Sequence, residues 1–251
     1  MAGYLIYHFK KRMSLSLYKK KRSFTKTPEP TGGKALKNEL LFVVQKHDAS
    51  RLHYDFRLEM EGVLKSWAVP KGPSLNPEDK RLAMMVEDHP FDYRTFEGTI
   101  PEGNYGAGTV IVWDEGTYTP LEDTGDKKEN EKTLLKQLKA GSVKIVMHGK
   151  KLKGEFALVK TNYQGENSWL LIKHNDKYAS EKDVTLKDKS VISKKTISQV
   201  EKTSNKIWAG NRAKTTEKKS AKQVNNKSAK QVNNAKTKPA VKKRGVTVTK
   251  K

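Results

Sequence analysis

Not one of the 251 residues is a cysteine. That excludes disulfides, thiolate metal sites and covalent chemistry through sulfur, and it suits a reducing cytoplasm. No apolar run approaches the roughly eighteen residues that a membrane-crossing helix needs, so no membrane partner is expected. Histidine is scarce, at six. Acids are scarce at both ends: residues 1–40 hold 10 Lys and Arg against 2 acids, and residues 186–251 hold 20 against 3. The ends thus carry +8 and +17 of the total +23, while residues 41–185 sit near neutrality at −2. Basic segments of this kind seek polyanions, nucleic acid before anionic membrane, and such binding weakens steeply with salt.

Large apolar residues also thin out from residue 186, where Lys, Ser, Thr, Asn and Gln dominate. The octet Lys-Ser-Ala-Lys-Gln-Val-Asn-Asn at 219–226 recurs at once at 227–234. Too little apolar surface is available to offset ordering entropy, so 186–251 is expected to be a disordered Lys-rich tail. An eight-residue repeat is also far too short for a solenoid unit. Trp208 is either a docking anchor or one more residue of a loose chain. At the other end, the apolar stretch Met1–Phe9 is brief and precedes its basic cluster Lys10-Lys11-Arg12, the reverse of a secretory signal. Met13 offers a second start, and residues 1–17 are read as an extension. That leaves 18–185 as one domain of ordinary size.

The middle reads mainly as short strands, at 41–46, 51–60, 64–69, 82–87, 108–114, 143–148, 155–160 and 168–174. Gly62, the Pro70–Pro73 cluster, Glu115-Gly116 and Gly149 punctuate them. One helix is expected at 129–139, where Leu134, Leu135 and Leu138 recur at helical spacing before Gly141. So many short strands favour a small closed barrel or a sandwich.

Residues 52–60 alternate without a break. Leu52, Tyr54, Phe56, Leu58 and Met60 fall on one face, and His53, Asp55, Arg57 and Glu59 on the other. An ordinary surface strand carries Lys, Thr, Ser or Glu on its wet face. Here His53 and Asp55 stand at i and i+2, Arg57 follows, and His47 lies six residues upstream. Two imidazoles and a carboxylate suit Mn, Fe or Zn and leave coordination positions open, while the guanidinium suits a phosphate. In a barrel, this polar face is expected to point into a wet interior, where buried charge must be paired or metal-bound.

Further polar residues follow. Lys71 sits in a turn stiffened by Pro70 and Pro73. Arg81 opens a strand, and Glu87-Asp88-His89-Pro90 closes it before Tyr93. His89 has the chemistry of a proton donor or a phosphate ligand. Taken singly, each also has an ordinary role open to it: a solvated lysine, a paired arginine, a loop histidine. Pro101–Gly108 is glycine-rich but lacks the Gly-Lys-Ser/Thr ending of a phosphate loop, and reads as a sharp turn shaping a pocket mouth. His148 and His174, at strand ends, read as structural.

Taken in order, the segments 20–24 (Lys-Lys-Arg-Ser-Phe), 27–30 (Thr-Pro-Glu-Pro), 42–58, 67–72 (Trp-Ala-Val-Pro-Lys-Gly), 86–90, 96–108 and 169–174 resemble the 3′-phosphoesterase domain of bacterial DNA ligase D, in its stand-alone form. The resemblance runs from about Tyr18 to Ala179. It implies a compact antiparallel β-barrel of about eight strands with flanking helices. It also implies an enzyme dependent on manganese, or another divalent metal, that removes 3′-terminal ribonucleotides and 3′-phosphates to leave a 3′-hydroxyl. By position it makes His47, His53 and Asp55 the metal ligands, and Arg57 and His89 the contacts to the scissile phosphate. His89 would either stabilise developing charge or protonate the leaving oxygen. Lys71, Arg81 and Tyr93 become supporting residues of the phosphate site, with Arg22, Glu29 and Gln45 on the substrate side. Ser23 stands where the family usually has Asp. The implied partners are DNA or RNA–DNA 3′ ends, and with them a separate DNA ligase, polymerase or end-binding protein. A non-enzymatic nucleic-acid-binding barrel with a basic tail is the rival reading. It accounts for the charged ends but not for His, Asp and Arg sharing one strand face.

Overall fold

Period-two alternation carries most of the chain between residues 40 and 173 into strands. A computed structural model describes residues 15–203 apart from 26, 28 and 37. Residues 1–14 and 204–251, with the octet repeat and Trp208, lie outside the described residues. A short helix α1 (Ser16–Lys20) is followed by β1 (Leu40–Asp48), β2 (Leu52–Met60), β3 (Val63–Val69) and β4 (Lys80–Pro90). A 3₁₀ turn (Phe91–Thr95) and β5 (Gly98–Ile100) lead into the long β6 (Gly108–Pro120). Then come α2 (Lys127–Ala140), β7 (Ser142–Gly149), β8 (Lys153–Lys160) and β9 (Ser168–Lys173). All eight expected strands and the expected helix are present; α1 and β5 are additions.

Every strand pairing is antiparallel, in the order β1-β2-β3-β4-β9-β8-β7-β6. Because β1 also pairs with β6, the eight strands close into a barrel, and β5 pairs with the start of β6 outside that ring. Alternate residues of each strand form one buried cluster inside, including Phe42, Tyr54, Phe56, Leu58, Trp67, Trp113, Met147, Phe156 and Trp169. The interior is therefore apolar. The expectation of a wet interior fails, because Tyr54, Phe56, Leu58 and Met60 take the inward face of β2. His53, Asp55, Arg57 and Glu59 point outward.

Outward does not mean exposed. A second apolar cluster, with Tyr18, Val43, Leu64, Phe91, Tyr93, Phe96, Ile100 and Val112, lies on the outside of β1, β3 and β6. It is built by α1 and the 91–100 segment folding over the sheet. Under that cover Arg57 is buried, and Glu59 is buried too, against the start of α2. Glu59 is consumed structurally: it accepts from the Leu41 amide at 3.0 Å and from Lys127 Nζ at 2.6 Å, pinning the start of α2. Asp126 caps α2 through the amides of Lys128 and Glu129, and Gly141 ends it at φ 81°, in the left-handed region.

Residues 187–203, expected from composition to be part of a disordered tail, pack on the barrel instead. Trp113 Nε1 donates to the Lys187 carbonyl at 2.7 Å, and Lys151 Nζ donates to the carbonyls of Lys187 and Lys189. The Val191 amide donates to the Val112 carbonyl, and Val191 and Val200 are buried. Sparse valines and a few backbone acceptors suffice because the barrel supplies the apolar partner surface; counting apolar residues within the segment alone misses this.

Candidate active site

The β1–β2 hairpin explains the His-x5-His spacing. Its register sets His47 directly opposite His53, and Gln45 opposite Asp55. The imidazole rings stand 4.7 Å apart between centroids. His47 Nδ1 and His53 Nε2 each lie 3.6 Å from a different oxygen of Asp55. One donor atom from each of the three residues falls within 4.8 Å of the others. The arrangement fits a divalent cation on two further counts. His47 Nε2 is buried with no hydrogen-bond partner among the described residues, a cost that buried imidazoles rarely carry without a ligand nearby. His53 Nδ1 lies 2.9 Å from the Arg51 carbonyl, which assigns the proton to Nδ1 and leaves Nε2 with a lone pair toward Asp55.

Two bulges aim the remaining groups. Between Leu64 and Ser66 the β3–β4 register shifts by one residue, so Leu64 faces His89 while Ser66 faces Val86. Such a shift bends a strand and redirects its side chains. Here it turns both Glu87 and His89 toward the cavity. The other shift lies between Val44 and Gln45 where β1 meets β6.

Arg57 is fixed by three bonds: Nε to Gln45 Oε1 at 2.8 Å, one terminal nitrogen to Ser66 Oγ at 2.8 Å, and the other to Asp55 Oδ2 at 3.0 Å. Gln45 in turn donates to the carbonyls of Tyr93 and Phe96, both at 3.0 Å. The guanidinium therefore keeps two of its five N–H groups for another acceptor. Arg22 is braced likewise, with Nε on Glu29 at 2.8 Å, Nη1 on Glu87 at 3.0 Å and Nη2 against His89 Nε2 at 3.1 Å. Tyr93 OH donates to the same Glu29 oxygen at 3.2 Å, and its ring lies 5.0 Å below Arg57.

Burial would push the Asp55 carboxyl up, but the Arg57 guanidinium and the nearby imidazoles of His47 and His53 hold it below the usual carboxylate range. His89 is displaced the other way. Burial first, then the charges of Arg57 and Arg22, hold its imidazole well below the ordinary histidine pKa. Its Nδ1 lies 2.8 Å from the Glu87 carbonyl, so the neutral ring carries its proton there and presents Nε2 to Arg22. Burial pushes the Tyr93 phenol well up, keeping it a donor.

One cavity of about 240 Å³ is lined by Arg22, His47, His53, Asp55, Arg57, Glu87, His89, Tyr93 and Tyr105, among others. Seven residues singled out in the sequence thus meet. Gln45 and Glu29 do not reach the cavity: they stand behind it, bracing Arg57 and Arg22, so a direct substrate contact is not where the structure puts them. Arg81 and Lys71 are likewise absent from the lining. Arg81 is paired to Asp79 at 2.8 Å, and Lys71 is exposed in the turn after β3. Ser23 meets Thr25 at 3.2 Å, and Arg22 is braced by Glu29 and Glu87 instead. Glu87, Ser66 and Tyr105 are given no individual role by the sequence, although the 101–108 turn that carries Tyr105 does lie at the pocket mouth expected of it. The bulge that recruits Glu87 leaves no pattern in the sequence.

Residues 45–160 match the family model of the DNA ligase D 3′-phosphoesterase domain. The barrel belongs to that family. The multifunctional non-homologous end joining protein LigD of Pseudomonas aeruginosa is 50% identical over 191 residues, which cover 73% of this chain and 22% of that protein. Its namesake in Mycobacterium bovis is 46% identical over 150 residues, covering 59% and 18% of the two chains. That of Mycolicibacterium smegmatis is 41% identical over 164 residues, covering 64% and 21%. The matched part of this chain thus spans about a fifth of the length of these relatives.

Proposed function

We propose that this chain is a divalent-metal-dependent phosphoesterase, with manganese as its expected metal. It removes 3′-terminal ribonucleotides and 3′-phosphates from DNA ends, leaving a 3′-hydroxyl for end joining. One observation carries the reading: the donor atoms of His47, His53 and Asp55 converge within 4.8 Å in the same cavity as Arg22, Arg57 and His89. Charge supports it. In the cavity and its wall Lys21, Arg22 and Arg57 are matched by Asp55, Glu29 and Glu87. A phosphate would enter a site with almost no net positive charge, and a divalent cation on the His-His-Asp group would provide it. When bound, that cation supplies a Lewis acid for a phosphate oxygen.

The protein's own groups do the rest. Arg57, held at three nitrogens, presents its two remaining N–H groups to the phosphate without a reorganisation cost. His89 acts as a neutral imidazole that orients Arg22, since protonating it would set a third cation between two guanidiniums. Tyr93 and Glu29 fix Arg22 from the other side. Among the described residues no serine or threonine lines the cavity, so water is the attacking group in this proposal. The basic segment 204–251, with 15 Lys and Arg against 1 acid, would hold the enzyme on DNA through diffuse phosphate contacts.

The test compares three oligonucleotide duplexes ending in a 3′-phosphate, a 3′-ribonucleotide or a plain 3′-hydroxyl. The proposal expects trimming of the first two to a common 3′-hydroxyl product and no attack on the third. Binding of all three without any product would favour the non-enzymatic barrel.

A further inference from the structure

The loop between β5 and β6 places one aromatic ring where the phosphoesterase reading has no use for it. Tyr105 is 49% exposed, yet it lines the mouth of the active cavity. Its position is set. Asn104 bonds the Pro101 carbonyl through its side-chain amide at 3.0 Å, and the Ala107 amide returns to the Asn104 carbonyl at 3.1 Å. Gly103 and Gly106 adopt φ of 79° and 75°, and a Cβ on Gly108 would strike the backbone of Asp48 and Ala49, so the loop is pressed against the end of β1. Lys21 Nζ lies 3.3 Å from the phenol oxygen and 4.8 Å from the ring centre, and the Arg22 guanidinium lies 5.2 Å from that centre. The same guanidinium touches His89 at 3.1 Å. A half-open aromatic face is thus held one side chain away from the groups proposed to bind phosphate.

We infer that Tyr105 forms a nucleobase-stacking subsite for the nucleotide whose 3′-oxygen carries the bound phosphate. The inference rests on the phosphoesterase reading for the position of that phosphate. Both proposed substrates, the 3′-phosphate and the 3′-ribonucleotide, share this nucleotide, so one platform serves both. Every base has a π-face, and an aromatic platform grips an end without reading its sequence. The nearby cations draw the backbone while the ring takes the base. A competing role is purely structural: the phenol hydroxyl props Lys21, which in turn pairs with Glu87 at 3.0 Å.

The experiment measures binding, in manganese, of an oligonucleotide ending in a hydrolysis-resistant 3′-phosphonate, with either a normal terminal base or an abasic terminal residue. Tyr105→Ala should weaken binding of the normal oligonucleotide by roughly five- to 150-fold, the range for loss of one base–aromatic stack. Tyr105→Phe and Tyr105→Trp should bind like the native protein. On the abasic oligonucleotide the native protein and Tyr105→Ala should agree within about twofold. A penalty that persists undiminished without the base overturns the inference, as does a Phe variant as weak as the Ala variant. Absence of a Tyr105→Ala penalty, or of any binding by the native protein, overturns it equally. Because turnover is not measured, a protein that stacks the base but hydrolyses nothing would refute the phosphoesterase reading and leave this subsite standing.

Discussion

Gln45→Ala offers a sharp test of how the site is built. Gln45 is fully buried, and its amide joins β1, Arg57 and the 93–96 turn. Truncation removes all three bonds. The Tyr93 carbonyl keeps the Phe96 amide as a donor at 3.0 Å, so two groups are newly orphaned: the Phe96 carbonyl and the Arg57 Nε–H. Each orphaned buried group costs about 1–3 kcal/mol, the charged one toward the upper end. With a small cavity added, the expected loss is about 3–5 kcal/mol, within the 5–15 kcal/mol typical of a folded domain. Urea unfolding should be followed in chelator, so that metal binding does not add its own stabilisation. The midpoint should fall with an unchanged slope. Phosphate release should also fall, by about tenfold or more in kcat/KM, because Arg57 loses one of its three anchors. Gln45→Glu should keep Arg57 in place but set a carboxylate oxygen against two carbonyls, losing stability while sparing more activity than Ala. An alanine variant within about 1 kcal/mol of native would refute this account of the brace.

Arg57→Ala and His89→Ala should each lose most activity while keeping manganese affinity within about tenfold, measured by calorimetry; metal lost in step with activity would merge the two roles we separate. Nitrogen-15 NMR of the imidazoles should find His89 protonated on Nδ1 and still neutral at a pH where exposed histidines are charged. A His89 that titrates with them would contradict its place between two guanidiniums. Deleting 204–251 should leave stability and turnover on short saturating substrates intact, but lower DNA affinity and flatten its salt dependence. Deleting 187–251 should in addition destabilise the barrel, because Val191 and Val200 lose their burial and the Trp113 indole its acceptor. Equal melting of the two truncations would show that the 187–203 segment contributes nothing.

Much of this was legible in the sequence because β-structure writes its period into it. Short strand-like runs between turn residues located eight strands, alternation gave both faces of β2, and the register of the β1–β2 hairpin sets the two imidazoles opposite one another. What alternation does not say is which face of a closed sheet lies inside. The bulky row Tyr54, Phe56, Leu58 filled the interior, and the polar row was buried by a separate layer built from α1 and residues 91–100. The bracing of Arg57 by Gln45, and the turning of Glu87 by a one-residue bulge, depend on tertiary register that no local pattern records. Lys71 and Arg81 carry the right charge for a phosphate site but do not line the cavity. The residues singled out by their spacing, His47, His53 and Asp55, are the ones whose donor atoms converge.

The central claim is that His47, His53 and Asp55 hold a metal on which phosphate release from a 3′ end depends. Its most direct test is release from a 3′-phosphorylated oligonucleotide across a manganese titration, after chelation, in the native protein and in Asp55→Ala. The account predicts no release from chelated native protein and recovery as manganese is restored. Asp55→Ala should show no recovery at any concentration, though it still unfolds cooperatively. Full turnover in chelator, or near-native turnover by Asp55→Ala at limiting manganese, would contradict it.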